Sequence, residues 1–349
     1  GVPGFSAAAA VLERAVEARA FPAAVAEVGD ATGPRWRAPF GRLTFDDHAP
    51  PAAEDTVFDL ASLTKVLATT PFAMLQAERG VISLDDAVRD HVPAWSSPDR
   101  AGVTVRDLLS HCSGLPGWLP LFQTCRGRAA FEHAICSLPL EYAPATRAVY
   151  SDLGFILLGV LLEGDSTIEA RFTALRAQMG LVEDLQFFPP PQWRARTAPT
   201  EVDPWRGRLL AGEVHDENAS ALGGAAGHAG LFGTAAAVGQ YARHLLQILD
   251  GRLGAFQRAT LEAFIARREE IPGSSRALGW DTMLPFSSCG TRMSTRAFGH
   301  TGFTGTSLWL DPDRGVYAVL LTNRVHPTRA NQAITQVRPA FHDAVFDAF

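Results

Sequence analysis

The chain has 349 residues, of which 47% are hydrophobic and 19% charged, a balance that builds a sizeable buried core and excludes a disordered polymer. A net charge of −6, with arginines scattered in no run longer than a pair, excludes a nucleic-acid-binding footprint. No apolar stretch reaches the roughly 20 residues that a membrane-spanning helix needs. The longest, Leu153 to Leu162, reads as a buried helix.

In chain order, residues 6–19 show the spacing of an amphipathic helix, with Ser6 placed to cap it and Phe21-Pro22 to stop it. Residues 23–28 read as a strand, 29–33 as a turn, and the segment around Trp36 as a second strand. Thr56 to Leu60 is a short strand-like approach to Ser62, and a helix follows to about Arg79 before Gly80. Between about 80 and 230, Pro and Gly breaks separate short helices. One is capped by Thr104 and ends near Gly114; Thr234 is placed to cap another that runs to Leu249. Residues 306–310 and 316–322 read as strands joined by the turn Asp311-Pro312-Asp313-Arg314-Gly315, and a last helix fills about 329–347. Strands at both ends around a helical middle predict one α/β sheet built from both termini, with a helical domain inserted.

The chemistry begins at one residue. Of 31 Lys and Arg side chains only Lys65 is a lysine. Arginine stays protonated, whereas a lysine amine changes its proton affinity with burial and neighbours. Lys65 lies three residues after Ser62, at the same face of a helix that begins where strand-like sequence ends. A helix start offers free backbone N–H groups to developing negative charge. Serine and amine in that relation make an activated nucleophile.

Two further segments carry polar groups beside apolar elements: Tyr150-Ser151-Asp152 before the helix 153–162, and Gly299-His300-Thr301-Gly302-Phe303-Thr304-Gly305 before the C-terminal hairpin. Ser-x-x-Lys, then Tyr-x-Asp, then His-Thr-Gly, in that order, resemble the penicillin-recognising serine hydrolases: class C β-lactamases, D-alanyl-D-alanine carboxypeptidases and related esterases. The stretches 107–116, 150–155, 227–232 and 300–305 support the likeness.

The resemblance implies an α+β fold of β-lactamase/transpeptidase type: an antiparallel sheet flanked by helices, formed by residues 1–65 and 230–349, and a mostly helical domain 66–229, with the active site between them. It implies Ser62 as acylated nucleophile, Lys65 and Tyr150 sharing the proton work, and an oxyanion hole from the backbone N–H groups of Ser62 and Phe303. Asp152, His300, Thr301 and Gly302 would contact substrate, with His300 orienting a carboxylate or tuning Tyr150. The partner is then a small ester, amide or peptide-like molecule, with no cofactor and no metal. Asp152 departs from the family's Asn. A carboxylate cannot donate a hydrogen bond to an acylamino carbonyl, and it can pair with Lys65 instead.

Other features weigh less. Glu213-Val214-His215-Asp216-Glu217-Asn218 has metal-ligand residue types, yet neighbours on a loop rarely converge on one ion; the resemblance implies a substrate-facing loop there. His111 and His228 read as structural. Cys112, Cys125, Cys136 and Cys289 follow no metal spacing and read as buried thiols, with a Cys125–Cys136 pairing open in an exported protein. The chain opens on Gly1-Val2-Pro3-Gly4, which leaves the compartment open between cytoplasmic and exported after leader removal. Oligomeric state is equally open. The expected activity is a serine hydrolase working through an acyl-enzyme; the other readings are an acyltransferase on the same scaffold and a penicillin-binding sensor that acylates without turnover.

Overall fold

The computed structural model describes residues 4–349, so most of the opening Gly-Val-Pro-Gly lies outside the described residues. Eleven strands occur among them: β1 (Ala23–Asp30), β2 (Gly33–Gly41), β3 (Phe58–Asp59), β4 (Leu185–Phe187), β5 (Val202–Asp203), β6 (Arg208–Leu209), β7 (Leu231–Gly233), β8 (Asp281–Thr282), β9 (Phe298–Gly302), β10 (Thr306–Asp311) and β11 (Val316–Thr322). The main sheet is antiparallel, in the order β2-β1-β11-β10-β9-β8, so both ends of the chain build it.

Strand alternation sends side chains to opposite faces of this sheet. On β11, Tyr317, Val319 and Leu321 join the larger apolar core, while Ala318 and Leu320 join a second core on the other face. The second core is closed by the helices Ser6–Glu17 and Ile334–Phe346. The first is closed by Ala235–Leu249, which Thr234 caps through a side-chain bond to Ala237 N–H. Burial on both faces explains why β1 and β11 are almost wholly apolar and not alternating. Asp311 makes the β10–β11 turn by accepting from the N–H groups of Asp313 and Arg314.

The inserted region carries most of the short helices. Thr104 and Asp107 form a reciprocal capping box on Val105–Leu109, and the apolar helix Asp152–Glu163 runs buried through this part. A small sheet, β3-β7-β4, joins it to the segment that leads into Ser62.

Three expectations about helices are corrected. Ser6 is the first helical residue and makes no side-chain cap; Phe5 occupies the capping position. The last helix starts at Ile334, because Arg329 and Asn331 are engaged in bonds to Glu201 and Ala20 that fix a loop. The helix after Ser62 is not regular: a 3-10 turn, Ala61–Leu63, passes through a π turn, Lys65–Thr69, before the α-helix Thr70–Glu78. No helix among the described residues is long and apolar enough to cross a membrane. All four cysteines are free and buried, so Cys125 and Cys136 do not pair.

Candidate active site

Ser62 follows a backbone that side chains seldom adopt: Ala61 has φ 48°, in the left-handed region. The turn is held by its neighbours. The buried Asp59 carboxylate accepts the N–H groups of Ala61 at 2.8 Å and His215 at 2.7 Å. Burial raises the proton affinity of Asp59 against the pull of these two N–H groups. The hydroxyls of Thr304 and Thr306 donate to the carbonyls of Asp59 and Leu60, tying the turn to the β9–β10 loop. A side chain at Gly302 would meet Leu60 O at 2.6 Å, so glycine is what permits this approach.

Irregular winding after Ser62 aims Lys65 inward. Its side chain is fully buried, and Nζ donates to Ser62 Oγ at 2.9 Å, Tyr150 Oη at 2.5 Å and Asp152 Oδ1 at 2.7 Å. An ammonium has three donors, and all are used. Burial opposes charge on Lys65, yet Asp152 and Tyr150 outweigh it and hold the proton more tightly than usual.

Tyr150 and Asp152 are delivered by the stretch 107–117. Val149 N–H donates to His111 O, Ser151 N–H to His111 Nδ1 at 3.0 Å, and Asp152 N–H to Gly117 O. Ser151 Oγ donates to Pro116 O and accepts from Gly154 N–H, which caps the helix. The His111 ring lies 4.8 Å from the Tyr150 ring. Because its Nδ1 accepts, Nε2 carries the proton, and that nitrogen is buried without a partner. His111 is thus a scaffold of the site and more than a helix-end residue. The stretch 227–232 backs the winding that follows Ser62: Gly227 O accepts from Thr69 Oγ1 and Leu231 N–H donates to Thr64 Oγ1.

The cleft encloses about 670 Å³ and is lined by Ser62, Tyr150, Asp152, His300, Thr301, Gly302 and Phe303. His300 donates from Nδ1 to Thr301 O, and its ring is 5.7 Å from that of Tyr150. Burial, with Lys65 and Arg276 nearby, keeps His300 far below the usual imidazole range, so it is neutral at pH 7 and brings no cationic charge to a carboxylate. The cations are elsewhere. Arg276 lies 4.9 Å from the centre of the Tyr150 ring, and its nearest carboxylate, Asp281, is 3.9 Å away. Arg324 and Arg338 also line the cleft. None of these arginines belongs to a local motif, and sequence reasoning missed them.

The loop 213–218 diverges as loop neighbours do. Glu213 pairs with Arg208, His215 with Glu201, and Asp216 with His228 at 2.6 Å. Asp216, His228 and Asp152 bring potential metal-ligating atoms within 4.8 Å of one another. The carboxylates are already engaged by His228 and Lys65, and burial of Asp216 is outweighed by His228, which holds its carboxyl well below the usual range. His215 stacks on Phe303, so the loop does face the cleft.

The family model described as Beta-lactamase matches residues 8–340. This chain belongs to the β-lactamase family. Over 310 residues, 78% of this chain and 68% of the relative, it is 30% identical to the N-acetylmuramyl-L-alanine amidase of Bacillus subtilis (strain 168). It is 29% identical over 328 residues, 81% of this chain and 73% of the relative, to a provisionally named D-alanyl-D-alanine carboxypeptidase of Salmonella gallinarum (strain 287/91 / NCTC 13346). The solved structure of EstCE1, described as a hydrolase with promiscuous acyltransferase activity, superposes with TM-score 0.78 at 19% identity, covering 99% of each chain. At that identity the likeness shows the shared fold alone. The β-lactamase-family protein therefore carries a serine-hydrolase scaffold whose relatives include carboxypeptidases and an amidase.

Proposed function

We propose that this protein hydrolyses small esters or amides through an acyl-enzyme on Ser62, at a cleft between a sheet domain (1–65 and 230–349) and a helical domain (66–229). The observation that carries the reading is Lys65 Nζ at 2.9 Å from Ser62 Oγ and 2.5 Å from Tyr150 Oη. With Lys65 held as an ammonium by Asp152, it cannot take a proton, and the oxygen left to receive the Ser62 proton is Tyr150 Oη. Ser62 Oγ attacks the carbonyl carbon while its proton passes to Tyr150 Oη. Tyr150 returns the proton to the departing alcohol or amine, and water then repeats the exchange in reverse. Lys65 bridges the two oxygens and steadies whichever carries charge.

The oxyanion is received by the N–H groups of Ser62 and Phe303. Among the described residues the Phe303 N–H has no acceptor of its own, which leaves it free for substrate. One such donor contributes about 3–4 kcal/mol in the transition state. Thr301 and Gly302 line the acyl-binding edge, and Arg276 supplies the cationic charge that neutral His300 lacks. Asp152 offers no donor to an acylamino group, which favours simple esters and amides over penicillins.

Parallel turnover of p-nitrophenyl esters and nitrocefin, with and without an added alcohol, tests this. Fast ester cleavage in water with slow nitrocefin cleavage is expected. Product that forms only with added alcohol supports the second reading, an acyltransferase on the same scaffold. A single burst without turnover supports the sensor.

A further inference from the structure

Arg338 stands on the helix Ile334–Phe346, far from Ser62 in sequence, and lines the same cleft. Its Nη2 donates to Gly302 O at 2.8 Å and Thr306 O at 2.9 Å. The two carbonyls sit at opposite ends of the β9–β10 turn, where Gly302 and Thr306 are paired. One guanidinium thus ties the turn shut. Among the described residues Arg338 has no carboxylate within ion-pair distance, and its Nε is buried without a partner. Burial, and then Arg324, lowers its proton affinity to about 10, so it remains charged at neutral pH.

A cation buried without a counter-ion is costly, and removing it from a purely structural place would favour the fold. What the charge touches explains why it is there. The carbonyl of Gly302 and the N–H of Phe303 belong to the same peptide unit. A charge-assisted bond at the carbonyl draws electron density across the peptide and makes the N–H at the other end a stronger donor. It also fixes the peptide plane, so that N–H is aimed before substrate arrives. The same carbonyl takes a second bond from Gly305 N–H at 3.0 Å, and Arg324 Nε holds the next carbonyl, Phe303 O, at 2.8 Å.

We infer that Arg338 is a positioning residue for the oxyanion hole, acting through the Gly302–Phe303 peptide by binding its carbonyl. This rests on the reading that Ser62 is acylated and Phe303 N–H receives the oxyanion. Arg338 does not touch the reacting atoms and makes no bond to Ser62, Lys65 or Tyr150. Its effect therefore appears with neutral substrates, which have no anion for a guanidinium to bind.

The test uses a neutral p-nitrophenyl ester labelled with 13C at the carbonyl, and Arg338→Met and Arg338→Lys beside the parent protein. Rapid-mixing infrared difference spectra record the acyl-enzyme carbonyl stretch, and steady-state kinetics give kcat and KM. In Arg338→Met the stretch moves to higher frequency and kcat falls about 10-fold or more with KM nearly unchanged. Arg338→Lys, which keeps a charge and the apolar stem, falls between. An unshifted band with parent-like kcat in a folded variant overturns the inference, as does a defect confined to carboxylate-bearing esters. Should Arg338→Met fail to fold, the lysine variant decides by the same band: a shifted stretch supports the inference and an unshifted one overturns it. A parent protein that forms no acyl-enzyme at all overturns the serine-hydrolase reading itself, and that result is seen separately from any Arg338 effect.

Discussion

Lys65 Nζ lies 2.7 Å from Asp152 Oδ1, with the lysine side chain wholly buried and the aspartate partly exposed to the cleft. Asp152 is the anion that keeps the ammonium charged inside the protein. Asp152→Asn leaves an acceptor but removes the charge, so stability falls by roughly 1–3 kcal/mol, less than for outright loss of a buried partner. The new amide can donate to an acylamino carbonyl, so nitrocefin turnover rises relative to ester turnover. Thermal melts and parallel kinetics check both parts. Unchanged or lower β-lactam turnover in a folded variant contradicts the role given to Asp152.

Tyr150 is the proposed base and Lys65 its charged partner. Tyr150→Phe keeps the ring on His111 and removes Oη, so kcat for esters falls about 100-fold or more while the fold is retained. Lys65→Arg cannot reproduce a compact ammonium that reaches Ser62, Tyr150 and Asp152 at once, and it loses activity to a similar degree. Active-site titration with a chromogenic ester reads both losses as slower acylation.

Arg276 faces the cleft with only a distant carboxylate partner. An ester that carries a carboxylate gains a charge-assisted contact worth about 1.5–3 kcal/mol. Arg276→Gln therefore lowers kcat/KM about 10-fold for a carboxylated ester and much less for a neutral one of the same length. Equal losses on both substrates contradict anion recognition.

His342 is buried on the C-terminal helix and donates from Nδ1 to Ser288 O at 2.8 Å. Burial lowers its proton affinity from near 6.5 to about 4. The unfolded chain then binds the proton more tightly than the native state. The stability this group contributes is complete above pH 6.5 and is lost as pH falls toward about 4, an effect of about 3 kcal/mol. His342→Asn keeps a donor for Ser288 O and has nothing to titrate. Denaturant midpoints measured from pH 7 to pH 4 fall less steeply in the variant than in the parent.

The thiols Cys112, Cys125, Cys136 and Cys289 are buried, and burial pushes Cys289 up to about 12 and Cys136 to about 11. Ellman's reagent at pH 8 labels none quickly in the native protein and all four after denaturation without reductant. Two labelled thiols after denaturation contradict the free state of Cys125 and Cys136.

Much of the candidate site's clustering was legible because it follows local spacing. A single lysine three residues after a serine, and a tyrosine and aspartate at the start of a long apolar helix, are short-range patterns that the fold preserves. The sheet from both termini was legible in the apolar runs of β1 and β11 and in the Asp311–Gly315 turn. What escaped is long-range or irregular. Arg276 and Arg338 look like any of the other arginines until the sheet brings them to the cleft. The π turn at Lys65–Thr69 leaves no mark in hydrophobic periodicity, because Val66 and Leu67 are buried in either winding. His111 read as a finished helix end because its bond to Ser151 joins segments 40 residues apart.

The most direct test of the account is intact-mass analysis after exposure to a fluorophosphonate, with the adduct located by peptide mapping. One adduct on Ser62, absent in Ser62→Ala and slowed in Tyr150→Phe, is the predicted result. A folded protein that takes no adduct, or takes it on another residue while Ser62→Ala still cleaves esters, contradicts the account.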